Sequence, residues 1–306
     1  MLQPLAFPLS PIYLVGPTAS GKSALAIALA NHLDGEIVNA DAFQLYQGMP
    51  ICTAQPSASD FAQAPHHLYA VLPAEQTCDA ARYADLARPI IQQIQDRGRT
   101  PLIVGGSGLY LKALTHGLSD LPSDPTLRET LAAFTTEERV AQLLALDPQS
   151  AETVNLRNDR YVSRALEICL LTGQPQSQLR QAWKIQSAPT FTGLILQWPR
   201  PGLNDRILQR TRAMISAGLL EEISALPSLS TTAARAIGIR EVQSHLRGEL
   251  TLDETITAIE IATRQYARRQ EKWFRRESGF IPLPVDHTHT PDQILQTALA
   301  ALKLKS

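Results

Sequence analysis

The sequence of 306 residues predicts an α/β fold, in which a parallel sheet is flanked by helices and an all-helical domain is inserted into the chain. Three observations support this prediction. Strand-like and helix-like segments alternate through the first third, the middle third lacks strand patterns, and strand character returns near residue 190. We therefore expect residues 1–115 and 190–306 to form a core domain that ends in helices, and residues 116–189 to form the helical insertion.

In the first third, short apolar runs predict strands, and segments rich in Ala and Leu at helical spacing predict helices. In chain order the predicted elements are strand Ile12–Val15, helix Lys22–Leu33, strand Glu36–Asn39, helix Asp79–Arg97 and strand Pro101–Val104. Because helices separate the strands, we expect the strands to be parallel.

Turn and cap residues organise the rest of the chain. Asp-Pro pairs at residues 124–125 and 147–148 predict helix starts, Gly173 predicts a helix end, and a loop is expected from there to Pro189. The elements predicted after the insertion are a strand over Thr190–Trp198 and helices over Leu203–Ala217, Leu219–Leu226 and Thr251–Arg276.

The composition is that of an ordinary globular chain, with 44% hydrophobic residues, 19% charged residues and a net charge of −1. Disorder and a membrane class are not indicated, because the apolar runs are far shorter than the roughly 20 residues that span a bilayer. The three cysteines have no C-x-x-C spacing, which argues against a disulfide framework or a zinc site. This cysteine usage fits a reducing compartment, so we expect a cytoplasmic protein, and the N-terminus does not have the pattern of a secretory signal.

A glycine-rich segment between the first predicted strand and the first predicted helix matches the P-loop pattern G-x-x-x-x-G-K-[ST]. Backbone N–H groups of such a loop bind phosphate oxygens, aided by the helix dipole. Lys22 adds a positive charge for the terminal phosphates, and the Ser23 hydroxyl is placed to ligate Mg²⁺. The pattern predicts a P-loop NTPase-like fold that binds a diphosphate or a nucleotide such as ATP, without deciding which. The predicted phosphate-binding residues are Gly16, Pro17, Thr18, Ala19, Ser20, Gly21, Lys22 and Ser23.

A carboxylate, Asp41, follows the second predicted strand. Because parallel strands end at the same edge of a sheet, we expect it to face the same cleft as the P-loop. It could organise a metal ion, as in small-molecule kinases, or act as a general base. An aspartate that only caps a local turn is the third alternative.

Several segments in a fixed order point to one family. Residues 41–49 read Asp-x-x-Gln-x-Tyr-x-Gly-Met, residues 65–68 read Pro-His-His-Leu, and residues 105–110 read Gly-Gly-Ser-Gly-Leu-Tyr. Arg164–Glu167 and Thr172-Gly173, then Ala236–Glu241 and Thr263–Gln270, follow. Along nearly its whole length the chain resembles the tRNA dimethylallyltransferases (tRNA isopentenyltransferases).

The resemblance implies transfer of a dimethylallyl group from dimethylallyl diphosphate to the exocyclic amine of the adenine 3′ of the anticodon in tRNA. The P-loop then holds the diphosphate of the donor rather than ATP, and Mg²⁺, with Ser23 and Asp41 as its protein ligands, neutralises the leaving pyrophosphate. The implied catalytic residues are Asp41 as the base, Ser107 beside the adenine or the diphosphate, and Arg264 on the pyrophosphate. The adenine has to be extruded from the anticodon stack to react.

The segment from Arg264 to Arg276 holds six basic residues and one acid. At helical spacing its basic side chains share one face, which indicates either a surface for tRNA phosphates or an ordinary solvated face. With the resemblance, we expect the catalytic core and the insertion to contact a tRNA anticodon stem-loop, and the protein to be a monomer. The predicted tRNA-binding residues are Asp41, Ala42, Phe43, Gln44, Ser107, Arg128, Arg160, Arg164, Arg235, Gly238, Arg240, Arg268 and Lys272.

Some positions depart from the usual residues of the family, and Cys52, for example, stands where glycine is common. The other departures are Ala42, Gln47, Gln55, Tyr161 and Ile239. Because several of them remove a charge or a polar contact, donor affinity or tRNA preference is expected to differ while activity is retained. The alternatives are an ATP-dependent small-molecule kinase and a tRNA-binding protein that has lost catalysis. For the adjacent pair His66 and His67 we expect a structural or hydrogen-bonding role rather than a metal site.

Overall fold

A computed structural model describes residues 10–117, 121–180, 191–277 and 279–303. The chain divides into two compact units. The core unit comprises Met1–Thr115 and Thr190–Ser306, and the insertion unit comprises His116–Pro189. Within the described ranges, no helix is long and apolar enough to cross a membrane.

The core unit is built on a six-stranded parallel sheet with the strand order β3-β2-β4-β1-β5-β6. Its strands are β1 Ile12–Val15, β2 Gly35–Asn39, β3 His66–His67, β4 Thr100–Gly105, β5 Thr192–Gln197 and β6 Phe280–Pro284. The central strands β1 and β4 are buried along their whole lengths, as expected when helices cover both faces of a parallel sheet. The predicted α/β class with a parallel sheet is confirmed.

Helices surround this sheet. Those of the core unit are α1 Lys22–Leu33, α2 Pro50–Thr53, α3 Ala58–Gln63, α4 Ala80–Asp96 and α5 Gly108–Thr115, followed after the insertion by α10 Arg200–Ser216, α11 Leu219–Ser224, α12 Ile239–Leu246, α13 Leu252–Phe274 and α14 Pro291–Lys303. Leu14, Leu29, Leu102 and Leu299 belong to one buried cluster, which joins α1 and α14 to the sheet. Strands β1 and β2, which are followed by the P-loop and by Asp41, therefore both pack into one continuous apolar core.

The insertion unit is helical over its described residues, with α6 Pro125–Ala132, α7 Thr136–Leu146, α8 Ser150–Thr153 and α9 Asp159–Thr172. Leu131, Leu143, Val162, Leu166 and Cys169 are central to its apolar core. The carboxylate of Asp124 accepts hydrogen bonds from the first amides of α6 and caps that helix. The helix start predicted there is confirmed.

Two local predictions in the insertion unit are wrong. Asp147 ends α7 as its C-cap, with its amide donating to the Leu143 carbonyl, and the next helix, α8, begins three residues later at Ser150. Residues 176–180, predicted as loop, are helical. The rest of that predicted loop, residues 181–189, and Thr190 of the predicted strand lie outside the described residues.

Candidate active site

The P-loop connects β1 to α1 at the carboxyl edge of the sheet. Gly16 and Gly21 have φ angles of 151° and 94°, in the region that favours glycine. No side chain caps the start of α1 at Gly21. Within the described part of the chain, the amides of Gly21, Lys22 and Ser23 have no hydrogen-bond acceptor. The loop therefore presents free N–H donors at the positive end of a helix, which is the arrangement that binds phosphate.

Lys22 folds back over this loop. Its Nζ donates to the carbonyl oxygens of Gly16 at 3.0 Å and Pro17 at 2.8 Å, which leaves one of its three N–H bonds for a ligand. Burial lowers the pKa of Lys22 to about 8, while the Asp41 carboxylate acts against this shift and Arg210 adds to it. A bound anion would replace the lost hydration of this ammonium group.

Helix α13 fixes the P-loop from one side. The buried side chain of Gln270 accepts a hydrogen bond from the Thr18 amide at 2.8 Å and donates one to the Gly106 carbonyl at 3.1 Å. A side chain at Gly106 would overlap Gln270, and one at Gly108 would overlap Trp273. The glycines after β4 are thus required for the close approach of α13 to the site.

Helix α10 fixes the loop from another side. Arg206 Nε donates to the Ala19 carbonyl at 2.7 Å, and Arg210 Nη1 donates to Thr18 Oγ1 at 3.1 Å. Burial lowers the pKa of Arg210, and the negative charge of Asp41 acts in the opposite direction. Arg210 therefore brings a half-buried cation to the phosphate loop.

Asp41 follows β2 and lies in a tightly bonded turn. Its amide donates to Asn39 Oδ1 at 2.8 Å, and its Oδ1 accepts from the Phe43 amide at 3.0 Å. Ser107 Oγ accepts a hydrogen bond from the Ala42 amide at 2.8 Å, which ties this turn to the loop after β4. Asp41 Oδ2 receives no hydrogen bond from the described residues. One carboxylate oxygen thus caps the turn, and the other is available to a ligand.

A pocket of about 550 Å³, including its open mouth, joins these elements. Thr18 and Arg210 lie at its phosphate end, Asp41 lines its wall, and the rings of Phe43 and Tyr266 approach to 6.3 Å between centroids. Its full lining is Thr18, Asp41, Phe43, Cys52, Thr53, Ile207, Arg210, Thr211, Met214, Ala236, Ile237, Ile259, Thr263 and Tyr266. The pocket combines a cationic end, a carboxylate and apolar walls.

Other predicted residues of the core unit lie around this pocket. Gln44 donates from its side-chain amide to the carbonyls of Thr53 and Ala54, so it also holds the loop after β2 together. Arg264 forms an ion pair with Glu260 and does not line the pocket. Three of the predicted tRNA-binding residues, Arg235, Arg268 and Lys272, are exposed on the surface. At the start of α12, Gly238 is buried and Arg240 forms an ion pair with Glu241.

In the insertion unit, two of the predicted tRNA-binding arginines are already paired. Arg128 Nε and Arg164 Nη1 donate to the fully buried Glu167 carboxylate at 2.9 and 2.6 Å. Burial would raise the pKa of Glu167, but hydrogen bonds from Arg164, the Asp124 amide and Arg128 lower it. Arg160 is exposed and has no ion pair among the described residues. Of the three predicted arginines in the insertion unit, Arg160 is therefore the one whose charge is available to a ligand.

The histidine pair has the hydrogen-bonding role that the sequence predicts. His66 Nδ1 lies 2.8 Å from the Ala64 carbonyl oxygen, and His67 Nε2 lies 2.6 Å from Glu36 Oε2. Both residues form β3 at the opposite side of β2 from the active-site strands β4 and β1.

Two residues that hold the P-loop, Arg210 and Gln270, are not among the site residues predicted from the sequence. A signal was present, because Arg206 and Arg210 are four residues apart on a helix, as are Tyr266 and Gln270. Such spacing predicts a shared face, and Tyr266 and Gln270 both lie within the family motif Thr263–Gln270.

Residues 44–277 match a family model described as IPP transferase. A tRNA dimethylallyltransferase from Akkermansia muciniphila is 38% identical over 292 residues, which cover 95% of this chain and 99% of that protein. The solved full-length tRNA isopentenylpyrophosphate transferase from Bacillus halodurans is 32% identical with a TM-score of 0.68, and the match covers 97% of both chains. A solved eukaryotic dimethylallyltransferase acting on tRNA has the same fold, with a TM-score of 0.81 at 24% identity over 96% of this chain and 78% of that one.

Proposed function

Because this chain belongs to the family of tRNA dimethylallyltransferases, or IPP transferases, we propose that it transfers the dimethylallyl group of dimethylallyl diphosphate to tRNA. The acceptor is the exocyclic amine of the adenine 3′ of the anticodon. One observation carries the proposal for this chain: Asp41 and the P-loop threonine Thr18 line the same pocket, and that pocket continues into apolar walls. A donor with a diphosphate head and a hydrocarbon tail matches this distribution of charge.

The P-loop is the proposed site of the diphosphate. The free amides of Gly21, Lys22 and Ser23 and the remaining N–H of Lys22 supply donors, and Arg210 adds a cation beside Thr18. Charge-assisted hydrogen bonds of this kind are short and strong. They become stronger as the diphosphate leaves and gains charge, so they stabilise the transition state more than the bound donor.

The residues also fit a Mg²⁺ ion. Ser23 is exposed at the start of α1, and Asp41 has one oxygen without a donor from the described residues. Mg²⁺ is commonly bound through one or two protein oxygens together with substrate phosphates, and no cluster of three or more His, Cys, Asp or Glu side chains that could hold a metal is found in the described ranges. We propose Ser23 as its direct protein ligand and Asp41 as a ligand through water, because Mg²⁺ usually keeps several waters and the free Asp41 oxygen also has to take a proton. When bound, the ion neutralises charge on the leaving diphosphate.

Asp41 is the proposed general base. The adenine nitrogen forms a bond to C1 of the dimethylallyl group while the bond from C1 to the diphosphate oxygen breaks, and the diphosphate leaves with the electron pair. The amine proton passes to the Asp41 carboxylate. Because an aromatic amine is a weak nucleophile, a positioned base contributes roughly 10²–10⁴ in rate. Ser107 holds the Asp41 turn through the Ala42 amide, which gives it a positioning role beside the proposed contact to substrate.

The extruded adenine needs a stacking surface, and the rings of Phe43 and Tyr266 supply one next to Asp41. Phosphates of the anticodon stem-loop are proposed to contact exposed basic residues, including Arg160, Arg235, Arg268 and Lys272. Arg264, half-buried with its Glu260 partner, remains a proposed contributor on the pyrophosphate side. We further propose a monomer that acts in the cytoplasm.

Labelled dimethylallyl diphosphate, Mg²⁺ and total tRNA test the proposal with the purified full chain. We expect label in tRNA, and digestion to nucleosides should recover it as an adenosine alkylated at the exocyclic amine. A tRNA whose adenine 3′ of the anticodon is replaced by guanine is the control and should stay unlabelled. Binding of tRNA without transfer would identify a binding protein instead, and phosphate transfer from ATP to a small acceptor would identify a kinase.

A further inference from the structure

A buried amide side chain precedes the turn that carries Asp41. Asn39 is the last residue of β2, and it is fully buried. The end of the strand is held by other groups. Tyr83 Oη donates to the Asn39 carbonyl at 2.8 Å, and the Ala40 amide donates to the Val104 carbonyl of β4 at 2.8 Å. Because neither bond uses the Asn39 side chain, the role of that side chain lies beyond the strand.

The Asn39 side chain bonds to both main-chain groups of Asp41. Its Oδ1 accepts a hydrogen bond from the Asp41 amide at 2.8 Å, and its Nδ2 donates to the Asp41 carbonyl at 3.1 Å. These groups belong to the peptide planes on either side of the Asp41 Cα, so one side chain fixes both planes and the direction of the bond from Cα to Cβ. The hydrogen bond from the Phe43 amide to Asp41 Oδ1 then restricts the rotation of the carboxylate. Together these bonds determine where Asp41 Oδ2 points.

The second N–H of this amide ties the Asp41 turn to the segment after β3. Asn39 Nδ2 also donates to the Leu68 carbonyl at 2.9 Å, and Leu68 has a φ angle of 62°, which is unfavourable for a residue other than glycine. Exchanging the oxygen and nitrogen of the amide would set Oδ1 against two carbonyls, so its orientation is unambiguous. The oxygen and both N–H groups of this buried side chain are therefore used, and two of the three bonds go to Asp41.

We propose that Asn39 is a positioning residue for the transfer reaction, which directs the available oxygen of Asp41 toward the acceptor amine. This inference rests on the proposed function and adds the residue through which the base acquires its geometry. Asn39 does not line the pocket, so it acts through Asp41 and not by touching a substrate. A general base has to lie within hydrogen-bond reach of the proton it takes, and a displacement of about 1 Å costs about 10² in rate.

Two substitutions remove these bonds to different extents. Asn39→Ala removes all three and should lower kcat about 10- to 100-fold, while the KM values for dimethylallyl diphosphate and tRNA stay within about threefold, because no pocket residue is changed. Asn39→Ser keeps a hydroxyl that can accept from the amide two residues further on, but it lacks a second donor for the Leu68 carbonyl. Its kcat should lie between those of Asn39→Ala and the wild type.

A double-mutant cycle with Asp41→Asn separates positioning from a purely structural role. If Asn39 acts through the Asp41 carboxylate, Asn39→Ala should change the residual kcat by less than about twofold once that carboxylate is absent. Single-turnover transfer of labelled donor to tRNA measures the residual rates. Tyr83→Phe is the matched control, because it removes a buried hydrogen bond to the carbonyl of the same Asn39. It should lower the thermal midpoint but leave kcat within about twofold.

Three results would overturn the inference while dimethylallyl transfer itself stands. They are a wild-type kcat in folded Asn39→Ala, an equal loss from Asn39→Ala with and without the Asp41 carboxylate, and a loss in Tyr83→Phe as large as in Asn39→Ala. If Asn39→Ala does not fold, Asn39→Ser is carried through the same cycle with the same expected loss of effect in Asp41→Asn. A wild-type chain that transfers no dimethylallyl group would instead contradict the proposed function.

Discussion

The two ends of strand β2 carry carboxylates in opposite situations. At its start, the buried Glu36 accepts hydrogen bonds from Arg97 at 2.7 Å and Arg99 at 3.1 Å, and lies 2.6 Å from His67 Nε2. Burial by itself would raise the pKa of Glu36, but the hydrogen bonds from Arg97, His67 and Arg99 outweigh it and lower the pKa to about 2. This carboxylate has its partners within the protein.

Beyond the other end of β2, Asp41 accepts one hydrogen bond, from the Phe43 amide, and lines a pocket beside Lys22 and Arg210. Those two cations are bonded to oxygens of the P-loop, the backbone carbonyls of Gly16 and Pro17 and the Thr18 hydroxyl, and no acidic side chain pairs with them in the described ranges. A charged group with a full set of partners thus stabilises the fold, whereas one held only by backbone and hydroxyl groups is available to a ligand.

The largest expected effect comes from Asp41→Asn. The amide keeps the shape of the side chain but cannot accept a proton from the adenine amine, so kcat should fall by roughly 10²–10⁴. Single-turnover transfer of labelled donor to tRNA measures this loss, and filter binding should give tRNA affinity close to that of the wild type. Normal turnover in this variant would remove Asp41 as the base.

Glu36→Gln is the matched change at the other end of the strand, and it should act on stability alone. A pKa lowered from 4.5 to about 2 corresponds to about 3 kcal/mol of unfolding free energy at neutral pH. Because the folded pKa is depressed, this stabilisation is present above pH 4.5 and is lost as the pH falls toward 2. Thermal or urea unfolding of both proteins from pH 7 to pH 3 should show the difference shrink, while kcat at pH 7 stays within about twofold. A difference independent of pH would contradict the role assigned to the Glu36 cluster.

Arg210→Ala should have the next largest effect. Removing a charged donor beside Thr18 should raise the KM for dimethylallyl diphosphate by about 10- to 100-fold, as expected for a hydrogen bond to a charged group. Arg212→Ala is the control, since Arg212 is exposed on the same helix. Steady-state kinetics with saturating tRNA measures the KM for dimethylallyl diphosphate in both variants. Equal effects from both variants would indicate a general electrostatic contribution of α10 rather than a contact to the diphosphate.

The sequence predicted the parts of this site that are encoded locally. The P-loop, with β1 before it and α1 after it, is one continuous pattern, and Asp41 follows the next strand directly. Arg210 and Gln270 were missed because they reach Thr18 across 192 and 252 residues of chain, and no short pattern records such contacts. Helical spacing predicts which residues share a face, but it does not tell which neighbour that face will contact.

The same limit explains why the strands β3 and β6 were not predicted and why a helix start was wrongly predicted at Asp147. The edge strand β3 has only two residues, and β6 contains Pro282 and Pro284, which lower strand propensity but are tolerated at an edge. Asp147 has the sequence of a helix start, yet its carboxylate is bound by Ser177, thirty residues away. Tertiary hydrogen bonds decided these positions, and the local sequence does not contain them.

The smallest expected effect extends the comparison of paired and free charges to the insertion unit. Arg160→Ala removes an exposed arginine that has no ion pair among the described residues, so it should weaken tRNA binding by only a few-fold and lower the slope of log affinity against log salt by about 0.7–1. Arg128→Ala removes a partner of the buried Glu167, so it should lower the thermal midpoint and change the salt slope less. Filter binding across a salt series, beside thermal unfolding, measures both. If Arg128→Ala reduced the salt slope as much as Arg160→Ala, an arginine bound to Glu167 would also contact tRNA phosphate, and pairing would no longer distinguish structural from ligand-binding cations in this protein.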